Sequence, residues 1–450
     1  MPTRAWSETD RALGLEWYIT DTEGIGGKLR QQLDDFIVNE ILLDGTVLEA
    51  STLQALDHKI RPGSWYWIVV EKRKIDTITV AYKIAKALDI DIDQVSYGGL
   101  KDTVALTVQI FSVSSNVDIS KINSICNDRV KILKIIRADH QFTTQDIWGN
   151  RFIITIREVE KPSIEIINEC LRQIESRGLP NYYGYQRFGL KRPNTHIIGK
   201  LLIMRRFEEA INEMIGTPWV EEDERIQKAR EYFLQGNYSK ALEYWPRSLK
   251  FMPERTIIEH LAKNPRDYVG ALRKLPKNLL RLYVEAYQSY LFNKLLSRRI
   301  EKGYSIVFAE VGDHVALLDH YKLPTKHIIF VNSESIKEKV NELIKRGRAC
   351  LVLPVPGYGI KLLSGVTHDL LREILTEERI DLNMFKCDPL LEAGSAGTFR
   401  PASVMPQVDS LNVNEVEKIV KITFKLPRGS YATVFLRELM KPSDPLASGY

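Results

Sequence analysis

The chain has 450 residues, 44% of them hydrophobic and 27% charged, with 63 Lys and Arg against 58 Asp and Glu. That length exceeds what one core usually serves, and the composition is that of an ordinary globular protein, which excludes fibrous and disordered classes. No apolar run approaches the roughly 20 residues of a bilayer span, and MPTRAWSETDRALG lacks the apolar centre of a signal peptide, so no membrane partner and a cytoplasmic location are expected.

Along the chain, Tyr66 to Glu71 reads as a strand and Thr77 to Leu88 as a helix, followed by a short extended piece at Val95 to Tyr97. Leu106 to Val113 alternates apolar and polar side chains, the pattern of a strand with one face on the core. A helix is predicted at Ile119 to Cys126, strands at Val130 to Arg137 and Phe152 to Glu158, and an amphipathic helix at Ile164 to Arg177. Past a loop punctuated by Pro180, Gly184, Gly189 and Pro193, helices are predicted over about 196–244, 254–273 and Asn278 to Arg299. Strands near 327–331 and 350–353 flank a helix at Glu334 to Arg346, a strand returns at Val416 to Lys425, and Ser430 to Met440 closes with a short helix.

The organisation predicted is a discontinuous sheet domain, residues 1–193 and 391–450, interrupted by an inserted domain over 194–390. Cys126, Cys170, Cys350 and Cys387 are far apart and form no C-x-x-C pair, so they are expected to be buried, reduced thiols, neither zinc ligands nor a disulfide framework.

The mild basic excess is concentrated in one stretch. Between Asn181 and Phe207 lie Arg187, Lys191, Arg192, Lys200, Arg205 and Arg206 without a carboxylate, interleaved with Tyr182, Tyr183, Tyr185 and Phe188. Clustered cations neutralise phosphates and aromatic faces stack on unpaired bases, a combination that suits looped RNA; the competing reading is a solvated basic loop with core tyrosines.

The most pointed segment is GGLKDTVALTVQ, Gly98 to Gln109, where two glycines open a loop that carries Lys101 and Asp102 and is anchored by the strand after it. It resembles the signature of the TruD family of pseudouridine synthases, G-x-K-D-x-x-A-x-T-x-Q, with matches at Lys101, Asp102, Ala105, Thr107 and Gln109. NYYGYQRFG at Asn181 to Gly189 is similar to that family's N-Y-F-G-x-Q-R-F-G, with Tyr183 where Phe is usual. LPRGSYATVFLREL at Leu426 to Leu439 resembles its closing segment, with Tyr431 where Phe is frequent, and DFIVNE at Asp35 to Glu40 resembles its opening P-E-D-F-x-V-x-E, with Leu33 and Asp34 departing from it. QSYLFNKLLSRRI at Gln288 to Ile300 is also similar.

The resemblance implies an α+β protein with a mixed, largely antiparallel catalytic sheet and a large inserted α+β domain. It implies a tRNA pseudouridine synthase, an isomerase acting on uridine 13 in the D-arm region, with tRNA as partner and no protein partner. The alternative is a non-catalytic tRNA-binding protein or tRNA folding chaperone on the same scaffold.

Pseudouridine formation breaks the N1–C1′ bond, turns the uracil and rejoins it through C5, so it gains and loses no atom and calls for no cofactor or metal. By resemblance Asp102 supplies the essential carboxylate, as nucleophile at C1′ or C6 or as base toward the 2′ proton. An enclosed carboxylate is driven toward its neutral form unless a cation pairs with it. Arg30, six residues before Phe36, stands at the family's basic position, with Lys28 as runner-up. Lys101 is expected to point away from Asp102 and meet a phosphate. Phe36, Asn181, Tyr183, Arg187 and Tyr431 are expected on the substrate, Tyr431 packing on the everted base and Asn181 offering a donor and acceptor to the uracil edge.

Overall fold

The computed structural model of the chain describes all residues except 50, 100, 102–104, 190–191, 218–221 and 249–250. The first part of the chain supplies β1 (Phe36–Leu42), β2 (Trp65–Arg73), β3 (Ser96–Tyr97), β4 (Leu106–Ser114), β5 (Val130–Ala138) and β6 (Ile147–Ile156). The middle supplies β7 (His314–Leu318), β8 (Pro324–Phe330), β9 (Ala349–Val355) and β10 (Thr398–Pro401), and the end supplies β11 (Gln407–Asn414) and β12 (Ile419–Pro427).

The large sheet is eight-stranded, in the order β11-β12-β6-β1-β4-β2-β5, with β3 paired to β4. Its pairs are antiparallel except β1 with β4, where Ile37 lies opposite Leu106 and Asn39 opposite Val108. The chain therefore leaves this sheet after β6 and completes it from the far end, Phe424 of β12 lying opposite Phe152. β2 reads as an unbroken apolar run because both its faces are covered: Trp67 and Val69 join one buried cluster, Ile68 and Val70 another. Helix α1 (Thr77–Leu88), N-capped by the Asp76 carboxylate on the Thr79 amide, lays Val80, Ile84 and Leu88 over the second cluster.

Helix α2 (Ile164–Arg177) starts at the Ser163 cap and ends at Gly178, whose φ of +80° suits glycine. Both helices span the residues predicted. The inserted region differs in grain: the helical stretches at 196–244 and 254–273 are broken into Thr195–Ile203, Phe207–Ile211, Glu224–Leu234, Tyr238–Tyr244, Met252–Lys263 and Tyr268–Leu272. Arg205, with φ +60°, makes the first of these breaks without a glycine or proline to announce it. Helix α3 (Lys277–Glu301) is buried along most of its length.

A second, four-stranded sheet has the order β8-β7-β9-β10 and is antiparallel throughout. β10 lies beyond residue 390 yet pairs with β9, Arg400 opposite Leu353. Helix α4 (Ala432–Met440) closes the chain against the large sheet. Phe435 meets Phe424 at 4.6 Å, Phe424 stacks on Phe152 at 5.2 Å, and Phe152 meets the edge of Phe36 at 6.4 Å. α4 is also tied to the N-terminal segment by Arg437 and Asp10, a solvent-free ion pair at 2.8 Å. Among the described residues no helix is long and apolar enough to cross a membrane.

Candidate active site

Asp102, the expected carboxylate, lies outside the described residues, as does Lys191. Its neighbour Lys101 is placed in full. The Lys101 ammonium sits 3.0 Å from Glu40 Oε1 and donates to Asn150 Oδ1 at 2.9 Å. Glu40 Oε2 accepts the Ile110 amide at 3.0 Å, and the Lys101 amide donates to Thr77 Oγ1, whose hydroxyl donates to Gln109. Glu40 belongs to the DFIVNE block and Gln109 to the GGLKDTVALTVQ block, so these two sequence blocks are joined by one buried polar network. This corrects the expectation that Lys101 reaches for a phosphate: its side chain turns inward because a fully buried carboxylate needs a cation.

At the start of β1, the Arg30 guanidinium lies 4.0 Å from the centre of the Phe36 ring, and Nη1 donates to the Gly449 carbonyl. Arg30 holds φ +56°, a left-handed conformation that turns the chain just before β1. Lys28 is instead exposed and paired with Glu158 at 2.6 Å. Of the two cations weighed for the carboxylate, only Arg30 is set against a site ring.

The NYYG block forms the best-defined wall. Tyr183 is half-buried, its amide and carbonyl both bonded to Asn293 of α3 (2.8 and 3.1 Å), and its ring lies edge-on to Phe292 at 5.5 Å. Tyr431, the residue before α4, brings its ring to 6.1 Å from Tyr183. Gly184 is required here by space: a Cβ on it would stand 2.8 Å from Tyr431 Cδ1 and 2.8 Å from Thr433 Oγ1. Over both rings lies Arg400 of β10, 4.1 Å from the Tyr183 centre and 5.9 Å from that of Tyr431.

Arg400 also alters the reading of Asn181. The Asn181 side-chain oxygen accepts Arg400 Nη2 at 2.8 Å, its nitrogen donates to the Pro401 carbonyl at 3.0 Å, and its backbone carbonyl accepts Arg400 Nε at 3.0 Å. The paired donor and acceptor expected to face a uracil edge are thus occupied in holding β10.

The basic stretch is largely structural. Arg187 pairs with Glu285 at 3.0 Å and Ser289, Lys200 with Glu378 at 2.7 Å, Arg205 with Asp388 at 2.9 Å and Arg206 with Glu209. Arg192 donates to the carbonyls of Glu213 and Met214. The stretch carries no carboxylate of its own, and apart from Glu209, three residues after Arg206, the carboxylates that pair with it come from distant parts of the chain. Tyr182, Tyr185 and Phe188 are buried, and burial pushes both tyrosine phenols above their usual range; Tyr185 donates to Asp10, and Tyr182 and Ser297 share a hydrogen bond between their hydroxyls. The core-tyrosine reading holds for these rings; Tyr183 is the exception.

Comparison with known proteins agrees with these blocks. A profile of the family described as "tRNA pseudouridine synthase D (TruD)" matches residues 12–439. The chain belongs to the TruD family. Relatives named "Probable tRNA pseudouridine synthase D" in Methanosarcina acetivorans and Pyrobaculum arsenaticum are each 37% identical, over 98% of this chain and 98% of theirs. A TruD crystal structure from Methanosarcina mazei superposes with a TM-score of 0.75 at 34% identity, covering 97% of this chain and 98% of that one. TruD proteins are tRNA pseudouridine synthases, enzymes that isomerise uridine in tRNA.

Within this TruD chain, sequence reasoning passed over Phe292, Asn293 and Arg400. The first two lie in QSYLFNKLLSRRI, whose family likeness now has a physical ground: that stretch of α3 clamps the NYYG block through Asn293, Phe292, Ser289 and Ser297. Arg400 sits in GTFRPASV, with no periodicity or clustering to single it out.

Proposed function

We propose that the chain isomerises uridine 13 of tRNA to pseudouridine, Asp102 supplying the ionised carboxylate. The single observation that supports the placing of the site is the meeting of Tyr183 and Tyr431, two residues 248 positions apart in separate family blocks, in one half-buried aromatic wall. An everted base needs such a wall, because leaving the RNA stack forfeits a few kcal/mol of stacking that ring contact restores.

In this reading the Tyr431 ring packs against the base and Tyr183 supports it. Arg30, carried on the Phe36 ring, provides the positive charge that keeps an enclosed Asp102 ionised. Phe36 then forms part of the floor. Lys101 and Asn181 act through the residues they hold, Lys101 by tying the chain just before Asp102 to Glu40 and Asn150 and Asn181 by holding Arg400. Arg187, over the Tyr183 ring at 5.9 Å, steadies that ring. Lys28, exposed beside Glu158, meets RNA phosphate at the rim.

Carbodiimide mapping of an unmodified tRNA transcript incubated with the protein tests the assignment. One new adduct at position 13, abolished when that uridine is replaced by cytidine, is the result expected; an adduct elsewhere, unaffected by that replacement, overturns it.

A further inference from the structure

Arg400 is more than nine-tenths buried, and two of its three guanidinium nitrogens are satisfied by Asn181 and Tyr182. Nη1 has no hydrogen-bond partner among the described residues, and no carboxylate among them pairs with the guanidinium. The surroundings are Tyr183, Phe292 at 5.7 Å and Tyr431, aromatic faces that favour a cation but carry no compensating charge. The other buried arginines are matched: Arg437 with Asp10, Arg299 with Asp313 and Arg230 with Glu222.

The direction of the free edge is fixed by Gly429. A Cβ at that glycine would lie 3.6 Å from Arg400 Nη1 and, its chain neighbours aside, within 4 Å of no other atom of the described residues, so among these residues Nη1 fronts open space beside the loop that leads into Tyr431. Gly429 also has φ +81°, a left-handed conformation that favours glycine. A buried, uncompensated cation is unfavourable in the free protein and becomes favourable when an anion binds.

We propose that Arg400 is a substrate-contacting residue whose Nη1 donates to an anionic oxygen of the everted nucleotide, while Nε and Nη2 hold the NYYG wall. The inference rests on the reading that Tyr183 and Tyr431 receive the base. Two oxygens of the substrate have the required chemistry: a phosphodiester oxygen beside the target, and O2 or O4 of the uracil anion left when the N1–C1′ bonding pair departs with the base. Planarity matters, since only a guanidinium serves the wall with one edge and the anion with the other.

The test compares R400Q and R400K with wild type in tRNA binding across a salt series and in single-turnover release of tritium from tRNA carrying 5-tritiated uridine. If a phosphate is the acceptor, R400Q binds about tenfold more weakly and its log K against log salt slope falls by about 0.9, with the saturating rate kept. If the uracil anion is the acceptor, binding and slope stay as in wild type and the saturating rate falls by about 10²–10³. In either case R400K restores charge without the fork and remains impaired. Wild-type rate, affinity and salt slope in folded R400Q, or in R400K should R400Q fail to fold, overturn the proposal. Tyr431→Ala separates the two levels: full activity in that variant removes the pocket reading itself, whereas its inactivation beside a fully active R400Q removes only the role of Arg400.

Discussion

The Lys101 ammonium lies 3.0 Å from Glu40 Oε1, a carboxylate oxygen that no solvent reaches, one residue before the expected catalytic aspartate. Removing one partner of a buried ion pair leaves the other uncompensated and costs about 3–5 kcal/mol, whereas neutralising both is far milder. Lys101→Met is therefore expected to lose about that much stability in urea denaturation, and Lys101→Met with Glu40→Gln to regain most of it. A single variant as stable as wild type contradicts the pairing.

Gly184→Ala tests the aromatic wall without touching a ring. The added methyl meets Tyr431 and Thr433 at distances no Cβ tolerates, so Tyr431 must shift. Misplacement of about 1 Å in a positioning group costs on the order of 10²-fold in rate, and a single-turnover rate reduced about 10- to 100-fold is expected, with tRNA affinity much less affected. An unchanged rate would show that Tyr431 does not hold the base.

His196 gives a pH dependence with a defined sign. It is buried between Phe188 and Tyr290, its Nδ1 has no hydrogen-bond partner among the described residues, and burial pulls its pKa down to about 4. Above the ordinary histidine pKa of about 6.5 the residue is neutral whether folded or unfolded. Below it the unfolded chain binds a proton that the folded protein refuses, so stability falls from about pH 6.5 down to about pH 4. His196→Phe is expected to reduce the loss between pH 7 and pH 5 by on the order of 2 kcal/mol in urea titrations. Equal slopes in the two proteins would contradict this.

The thiols divide in a way the sequence did not announce. Burial pushes Cys170, Cys350 and Cys387 up to about 12, but Cys126 is exposed. Iodoacetamide at pH 8 is expected to modify Cys126 alone in the folded protein and all four cysteines in urea, as read by peptide mass spectrometry. Labelling of Cys387 in the folded state would contradict the packing around it.

What was legible in the sequence follows from how local the determining physics is. Helices α1 and α2 announced themselves because each has a capping side chain and an apolar stripe within its own residues. β11, QVDSLNVN, did not, since it is a largely exposed edge strand held mainly by its pairing with β12. The same holds at the site. The motif blocks identified Tyr183 and Tyr431, but the partners that define them, Asn293 and Arg400, come from 110 and 217 residues after Tyr183. The basic stretch misled for the complementary reason: except for Glu209, three residues after Arg206, the carboxylates that pair with Arg187, Lys200 and Arg205 are remote in sequence and adjacent in space.

Under the proposed function the side chain at position 102 performs the chemistry in a pocket that binds tRNA without it. Tritium release from tRNA carrying 5-tritiated uridine, measured for wild type and Asp102→Asn at protein concentrations that saturate the tRNA, tests it most directly. Release by wild type, none by Asp102→Asn, and tRNA affinity within a few-fold between them are expected. Release by Asp102→Asn at a rate near that of wild type would contradict it.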